Sequence, residues 1–244
     1  MLNRVEQIRA DEKRYHDFIY EHHVLFEEGS WLHKPVSMIQ GTLPLLIDIP
    51  NVRVLDLGCG VGRNSIPIAS DIQKNHGKVV CVDLLDSALT KLERYSRTYG
   101  IEHAIQPVKS DIAAYSFPEN HFQWIVAISA LEHVSSVQAL TGVLEKMKRT
   151  TKKGGVHSLI VNSNVEERCV ETNQRIEASI EVNLPTKNME NLLNKTYRNW
   201  NVLTQTVKPL SFNILREQKE VRLTTNAITL VVKNEMPQGD GWHE

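Results

Sequence analysis

The run Val52-Arg53-Val54-Leu55-Asp56-Leu57-Gly58-Cys59-Gly60-Val61-Gly62-Arg63-Asn64 constrains this chain more than any other stretch. An apolar strand ends near an acid, breaks into glycines at alternate positions, and leads into Ile66-Pro67-Ile68-Ala69, the start of a helix. Missing Cβ atoms at those places let the backbone of a strand–turn–helix unit come very close to a ligand. A tight turn with no ligand also uses glycines, so the acids that accompany the turn must decide. A dinucleotide-binding G-x-G-x-x-G would place glycine at position 63, and Arg63 stands there. The Asp56 carboxylate suits an ammonium or sulfonium cation and would repel a pyrophosphate.

Two further acids follow at telling distances. Asp83 closes Val79-Val80-Cys81-Val82, roughly twenty residues after the turn, where an acid accepts hydrogen bonds from ribose hydroxyls. Its competing role is to cap the next helix, for which Asp86 and Ser87 are better placed. Ser110-Asp111-Ile112 ends the third strand pattern; its acid can take an exocyclic amine while Ile112 lies on a ring face, or it can be a solvated turn acid. The fourth strand leads to Ser129-Ala130-Leu131-Glu132-His133, and ligands of open α/β sheets sit beyond such carboxyl ends. Glu132 and His133 suit an acid–base pair or half of a metal site; they equally suit a loop-to-helix junction. No second ligand cluster supports a metal.

Around these motifs, strand and helix patterns alternate with short connections, the mark of a parallel sheet covered on both faces. Strands are expected at 52–57, 78–83, 105–110, 122–129 and 155–162, with helices at 63–74, 86–99 and 136–150. Apolar residues at helical spacing predict an N-terminal helix from Val5 to about Glu28. Residues 163–185 read as polar and irregular, 187–197 as a helix, and 200–207 and 221–232 as closing strands. The expected divisions are a helical cap or lid over 1–40, the main domain over 41–234 and a flexible tail over 235–244.

The spaced residues Asp56/Gly58/Gly60/Gly62, Asp83, Asp111 and Leu131-Glu132-His133 resemble the class I S-adenosylmethionine-dependent methyltransferases over about residues 50–162. Gly62-Arg63-Asn64-Ser65 and the Ala227–Lys233 strand are also similar to the tellurite-resistance type of small methyltransferase. The resemblance implies an α/β Rossmann-like fold: a seven-stranded, mostly parallel sheet with helices on both faces, a C-terminal antiparallel strand and an N-terminal helical cap. It implies S-adenosyl-L-methionine as cofactor, bound by Asp56, Gly58, Cys59, Gly60, Gly62, Arg63, Asn64, Asp83, Leu84, Asp111, Ile112, Ser129 and Trp31. Trp31 belongs to a pre-strand element that closes over the cofactor in related enzymes; it equally suits an anchor for the first helix. His133 is the candidate catalytic residue.

A net charge of −1 gives no global attraction to nucleic acid or anionic membrane. The Asn-Pro-Pro-Tyr type run of amino-methylating DNA enzymes is replaced by Ser129-Ala130-Leu131-Glu132, and no cysteine follows the fourth strand for pyrimidine chemistry. Cys59, Cys81 and Cys169 are odd in number and lack metal-ligand spacing, so they read as reduced thiols of a cytoplasmic protein. No apolar run is long enough to span a membrane. The expected partner is a small methyl acceptor under the cap, facing His133, Asn162 and 163–185, in a monomer or homodimer. The alternatives are a protein or RNA methyltransferase, or a regulatory protein that binds the cofactor without chemistry.

Overall fold

The computed structural model describes residues 3–216 and 219–235. Strands β1 (Arg53–Leu57), β2 (Lys78–Asp83), β3 (Ile105–Lys109), β4 (Phe122–Ile128), β5 (Thr151–Cys169), β7 (Asn201–Arg216) and β8 (Lys219–Lys233) form one sheet in the order β3-β2-β1-β4-β5-β8-β7. The first five run parallel, and β8 is antiparallel to both β5 and β7. A two-residue strand β6 (Arg175–Ile176) pairs with β5 off this path. The order reverses beside β1, so the carboxyl ends of β1 and β4 flank a crevice where such sheets take their ligands.

Helices cover the two faces: α1 (Arg4–His22), α2 (Ser37–Thr42), α3 (Ser65–Ile72), α4 (Asp86–Thr98), α5 (Val137–Thr150) and α6 (Thr186–Thr196). The core divides by strand alternation. Val54, Val79, Cys81, Trp124 and Val126 pack on one face with α3 and α4, while Leu55, Val80, Val82, Ile125 and Ala127 pack on the other with α5 and α6. Both sides are apolar because both are covered, which is why these strands read as continuous hydrophobic runs. The core histidine His157 sits between Thr151 Oγ1 at 2.7 Å and Tyr197 Oη at 2.8 Å, and burial drives its pKa down to about 3.

Three expectations differ from the observed elements. The N-terminal helix starts on an Asn3–Glu6 capping box and stops at His22, short of Glu28. Beyond it the chain folds back through Phe26 at φ +68°, so that Leu25 enters the core and donates its N–H to Tyr95 Oη. The expected irregular stretch after residue 162 is strand as far as Cys169, bulged between Ser163 and Glu166. Inward positions there include the polar Ser163 and Glu167, so no apolar alternation announces the strand. The closing strands are also longer than their patterns; β7 is an exposed edge whose side chains have little core to face. The expected tail, Glu235 apart, lies outside the described residues. Among the described residues, no helix is long and apolar enough to cross a membrane.

Candidate active site

The glycine turn is bolted onto the sheet by its own backbone. Gly58 and Cys59 both donate to the Val82 carbonyl, at 2.8 and 3.1 Å. Gly58 has φ +73°, and a Cβ there would run into the Ala130 methyl, so the turn after β4 presses against the turn after β1. Asp83 spans the gap between β1 and β2: Oδ2 accepts Gly60 N–H at 2.8 Å and Oδ1 accepts Leu85 N–H at 2.9 Å. Burial pushes its pKa up, against those hydrogen bonds. Helix α4 begins at Asp86 with no side-chain cap from the residue before it.

The expected site residues separate into two sets. Asp56, Cys59 and Asn64 face into packing. Asp56 is 2% exposed and accepts Ser65 Oγ–H at 2.5 Å, and burial raises its pKa to about 7. Cys59 is buried in the first core face, and Asn64 Oδ1 accepts Val36 N–H at 3.1 Å, tying the pre-strand segment to the turn. Asp83, Leu84, Asp111, Ile112 and Ser129 line the carboxyl edge, with Leu84 and Ser129 exposed and Ser129 at φ +51°. Asp111 Oδ1 accepts Ala113 N–H at 2.7 Å. Arg63 donates to the Trp31 carbonyl at 2.8 Å and lies 5.0 Å from the centre of the Trp31 ring, holding that indole beside the glycine turn.

Helix α1 crosses this edge with Arg9, Glu12, His16 and Tyr20, whose spacing of three and four residues puts them on one face. Arg9 bonds Asp111 Oδ2 at 2.6 Å, and His16 and Tyr20 group with Trp31 at centroid distances of 5.9 and 6.4 Å. Further along, Glu12 meets Arg216 at 2.9 Å, and Arg216 also meets Glu167 at 3.1 Å. The hairpin end of β7 and the extension of β5 are thus fastened to α1.

His133 lies in the turn after β4, about one-third exposed, with Nδ1 3.0 Å from Glu181 Oε2. Burial opposes its charge, but the bond to Glu181 and the charges of Glu12, Glu132 and Glu181 outweigh it and hold the pKa up to about 9. Glu132 is not its partner. That side chain is fully buried and accepts Asn162 N–H at 3.0 Å and Asn162 Nδ2–H at 2.6 Å. Glu12 drops to about 2: burial would raise it, and the bond to His16 and the nearby cations prevail.

The sequence reading missed Arg9, Glu12, His16, Tyr20, Glu167, Glu181 and Arg216. Only the α1 residues carried a local signal, a polar and aromatic face on a helix that was read by its apolar positions. Glu167, Glu181 and Arg216 come from segments far apart in sequence.

The missing Cβ atoms at the turn and the acids after β2 and β3 form the setting that an adenosyl sulfonium needs. Residues 54–155 match the family model described as a methyltransferase domain. The chain is 29% identical over 136 residues to a sterol 24-C-methyltransferase of Aspergillus fumigatus, covering 55% of this chain and 34% of that protein. It is 33% identical over 106 residues to a ubiquinone/menaquinone biosynthesis C-methyltransferase of Shewanella frigidimarina, covering 43% of this chain and 41% of that protein. The chain therefore spans less than half the length of these curated relatives. The crystal structure of TehB from Haemophilus influenzae aligns with a TM-score of 0.57 at 18% identity, covering 81% of this chain and 61% of that one, a likeness of fold. The matched segment, residues 54–155, holds the glycine turn and the acids at the ends of β2 and β3, so this part of the chain is similar to a methyltransferase domain of the class I S-adenosylmethionine-dependent type.

Proposed function

We propose that this protein transfers the methyl group of S-adenosylmethionine to a small, polar acceptor held between the carboxyl edge of the sheet and helix α1. One observation supports the reading: Asp83, which accepts the Gly60 N–H, and Asp111, which bonds Arg9 of α1, lie at the carboxyl ends of the neighbouring strands β2 and β3. In this reading Asp83 receives the ribose hydroxyls, Asp111 the adenine amine, Leu84 and Ile112 the ring faces, and Trp31 the sulfonium end. Asp56, Cys59 and Asn64 shape the turn from beneath.

When bound, the cofactor supplies an electrophilic methyl group whose leaving group, a neutral thioether, needs no proton. The chain's own work is therefore positioning, with proton transfer only where the acceptor carries one. Glu181 occupies His133 Nδ1, leaving Nε2 for the acceptor. The free protein holds His133 as a cation at neutral pH, an anchor for an electron-rich oxygen or nitrogen. The relatives named above are a sterol 24-C-methyltransferase and a ubiquinone/menaquinone biosynthesis C-methyltransferase. In this reading the acceptor lies against the charged pairs of His133 with Glu181 and of Arg216 with Glu12 and Glu167, which favours a compact polar molecule, because burying such charges against hydrocarbon is costly.

Residues 1–40 act as the cap over this space, and 41–234 as the catalytic body. The free thiols Cys59, Cys81 and Cys169 suit a reducing cytoplasm. A near-neutral charge argues against a nucleic-acid acceptor. The test is a panel of small metabolites, proteins and RNA with methyl-labelled S-adenosylmethionine, alongside calorimetry. Binding in the micromolar range, on the order of −8 kcal/mol, with label on a small polar acceptor is expected. Label found on protein or RNA but never on small molecules would overturn the acceptor class. Binding without any turnover would favour a regulatory role.

A further inference from the structure

We propose that Arg9 is a positioning residue that ties occupancy of the adenine site to the proton carried by His133. The proposal rests on the assignment of Asp111 to the adenine amine made above. It begins from a guanidinium standing between two carboxylates. Arg9 Nη2 bonds Asp111 Oδ2 at 2.6 Å, whereas Arg9 Nε lies 3.7 Å from Glu181 Oε1. That Nε is buried and has no hydrogen-bond partner among the described residues. The other oxygen of Glu181 holds His133 Nδ1 at 3.0 Å. Arg9 is thus bonded at the cofactor end and, at the acceptor end, short of a hydrogen bond by less than about 1 Å.

Asp111 Oδ1 already accepts Ala113 N–H and Oδ2 already accepts Arg9 Nη2–H, so an exocyclic amine that binds this carboxylate competes with Arg9 for it. Competition weakens the hold on Arg9, and a buried donor without a partner gains by moving onto Glu181. Glu181 then divides its charge between Arg9 and His133. The other charged groups around His133 keep their places: Glu132 in its own turn is bonded to Asn162, and Glu12 on α1 is bonded to Arg216 of β7 and paired with His16. Arg9 is the one that moves, so His133 gives its proton to water more readily once the cofactor is seated.

The neutral ring then takes the acceptor's proton as the acceptor's nucleophilic atom bonds the methyl carbon. The sulfur–methyl bond breaks and its electron pair stays on sulfur, leaving thioether, methylated acceptor and imidazolium. From a midpoint of about 9 in the free protein, a shift of about one pH unit raises the neutral fraction of His133 about tenfold at neutral pH, so the cofactor makes more of the base available.

The experiment titrates His133 by NMR with and without S-adenosylhomocysteine, in the unsubstituted protein and in Arg9→Lys and Arg9→Gln. Saturating nucleoside is expected to lower the His133 midpoint by about one pH unit in the unsubstituted protein. The shift should vanish in both variants while the nucleoside still binds. Lysine keeps the charge but is a point donor that cannot bridge both carboxylates, so Arg9→Lys remains decisive if Arg9→Gln fails to fold. The kcat–pH midpoint of Arg9→Lys should move alkaline by about one unit as well. An unmoved midpoint in the liganded unsubstituted protein, or the same shift in the variants, overturns the proposal. Calorimetry separates the two levels. No nucleoside binding to the unsubstituted protein removes the cofactor assignment and this inference with it, whereas binding without a His133 shift removes the role of Arg9 alone.

Discussion

Tyr20 of α1 stands directly over Gly60 of the glycine turn: a Cβ built on Gly60 would meet the Tyr20 hydroxyl oxygen at 2.9 Å. Gly60 also has φ +54°, and Tyr20 is only 3% exposed. The glycine turn is therefore packed by the N-terminal helix. Gly60→Ala is expected to cost about 1–2 kcal/mol through its left-handed backbone alone. A further steric part should disappear in Gly60→Ala/Tyr20→Phe. Chemical denaturation of both single variants and the double variant measures this. Strict additivity would mean that the two residues do not constrain each other.

Asp83 serves the fold and the proposed ribose contact with the same carboxylate. Asp83→Ala should weaken S-adenosylhomocysteine binding by about 1.5–3 kcal/mol, because the lost acceptor is charged. It should also lower the melting temperature, since Gly60 N–H and Leu85 N–H lose their partner. Calorimetry and thermal melting read the two effects separately. A lower melting temperature with unchanged affinity would reduce Asp83 to a clasp for the turn.

His133 and Glu12 predict opposite pH dependences. His133 binds its proton more tightly folded than unfolded, with a pKa raised from 6.5 to about 9. Its stabilisation is complete below pH 6.5 and is lost as the pH rises through about 9. Glu12 is lowered from 4.5 to about 2, so its stabilisation is present above pH 4.5 and is lost as the pH falls through about 2. His133→Gln should therefore lose most stability near pH 6, and its urea midpoint should converge on that of the unsubstituted protein above pH 9. A constant difference across that range would contradict the Glu181 pairing.

Arg216 fastens the hairpin end of β7 to α1 through Glu12 and to β5 through Glu167. Arg216→Ala strands two largely buried carboxylates and should cost about 2–3 kcal/mol. The cap reading adds a local signature. Amide exchange along α1 should accelerate in the variant and slow in the unsubstituted protein when S-adenosylhomocysteine is added. Exchange equally slow with and without the nucleoside would make α1 plain structure.

The parallel half of the molecule was legible residue by residue. Val54, Leu55, Val79, Val80, Ile125 and Val126 form unbroken apolar runs because two covered faces demand it, and the glycines mark the turn because backbone and side chains crowd it. Where those conditions lapse, so does the signal. The outer half of β5 turns Ser163 and Glu167 inward, and β7 has one strand beside it and solvent beyond, so neither shows the alternation that announces a strand.

The candidate site divides along the same line. Asp83 closes β2 and Asp111 comes just after β3, and a local pattern of apolar strand then acid determined where they lie. The pairing of His133 with Glu181 rather than Glu132, the guanidinium of Arg9 between two acids, and the meeting of Arg216 with Glu12 were decided only by tertiary structure. These contacts join positions 48, 102, 172 and 204 residues apart. Local propensity acts over a few neighbouring residues, whereas charged side chains find their partners through packing that the whole sheet must first assemble.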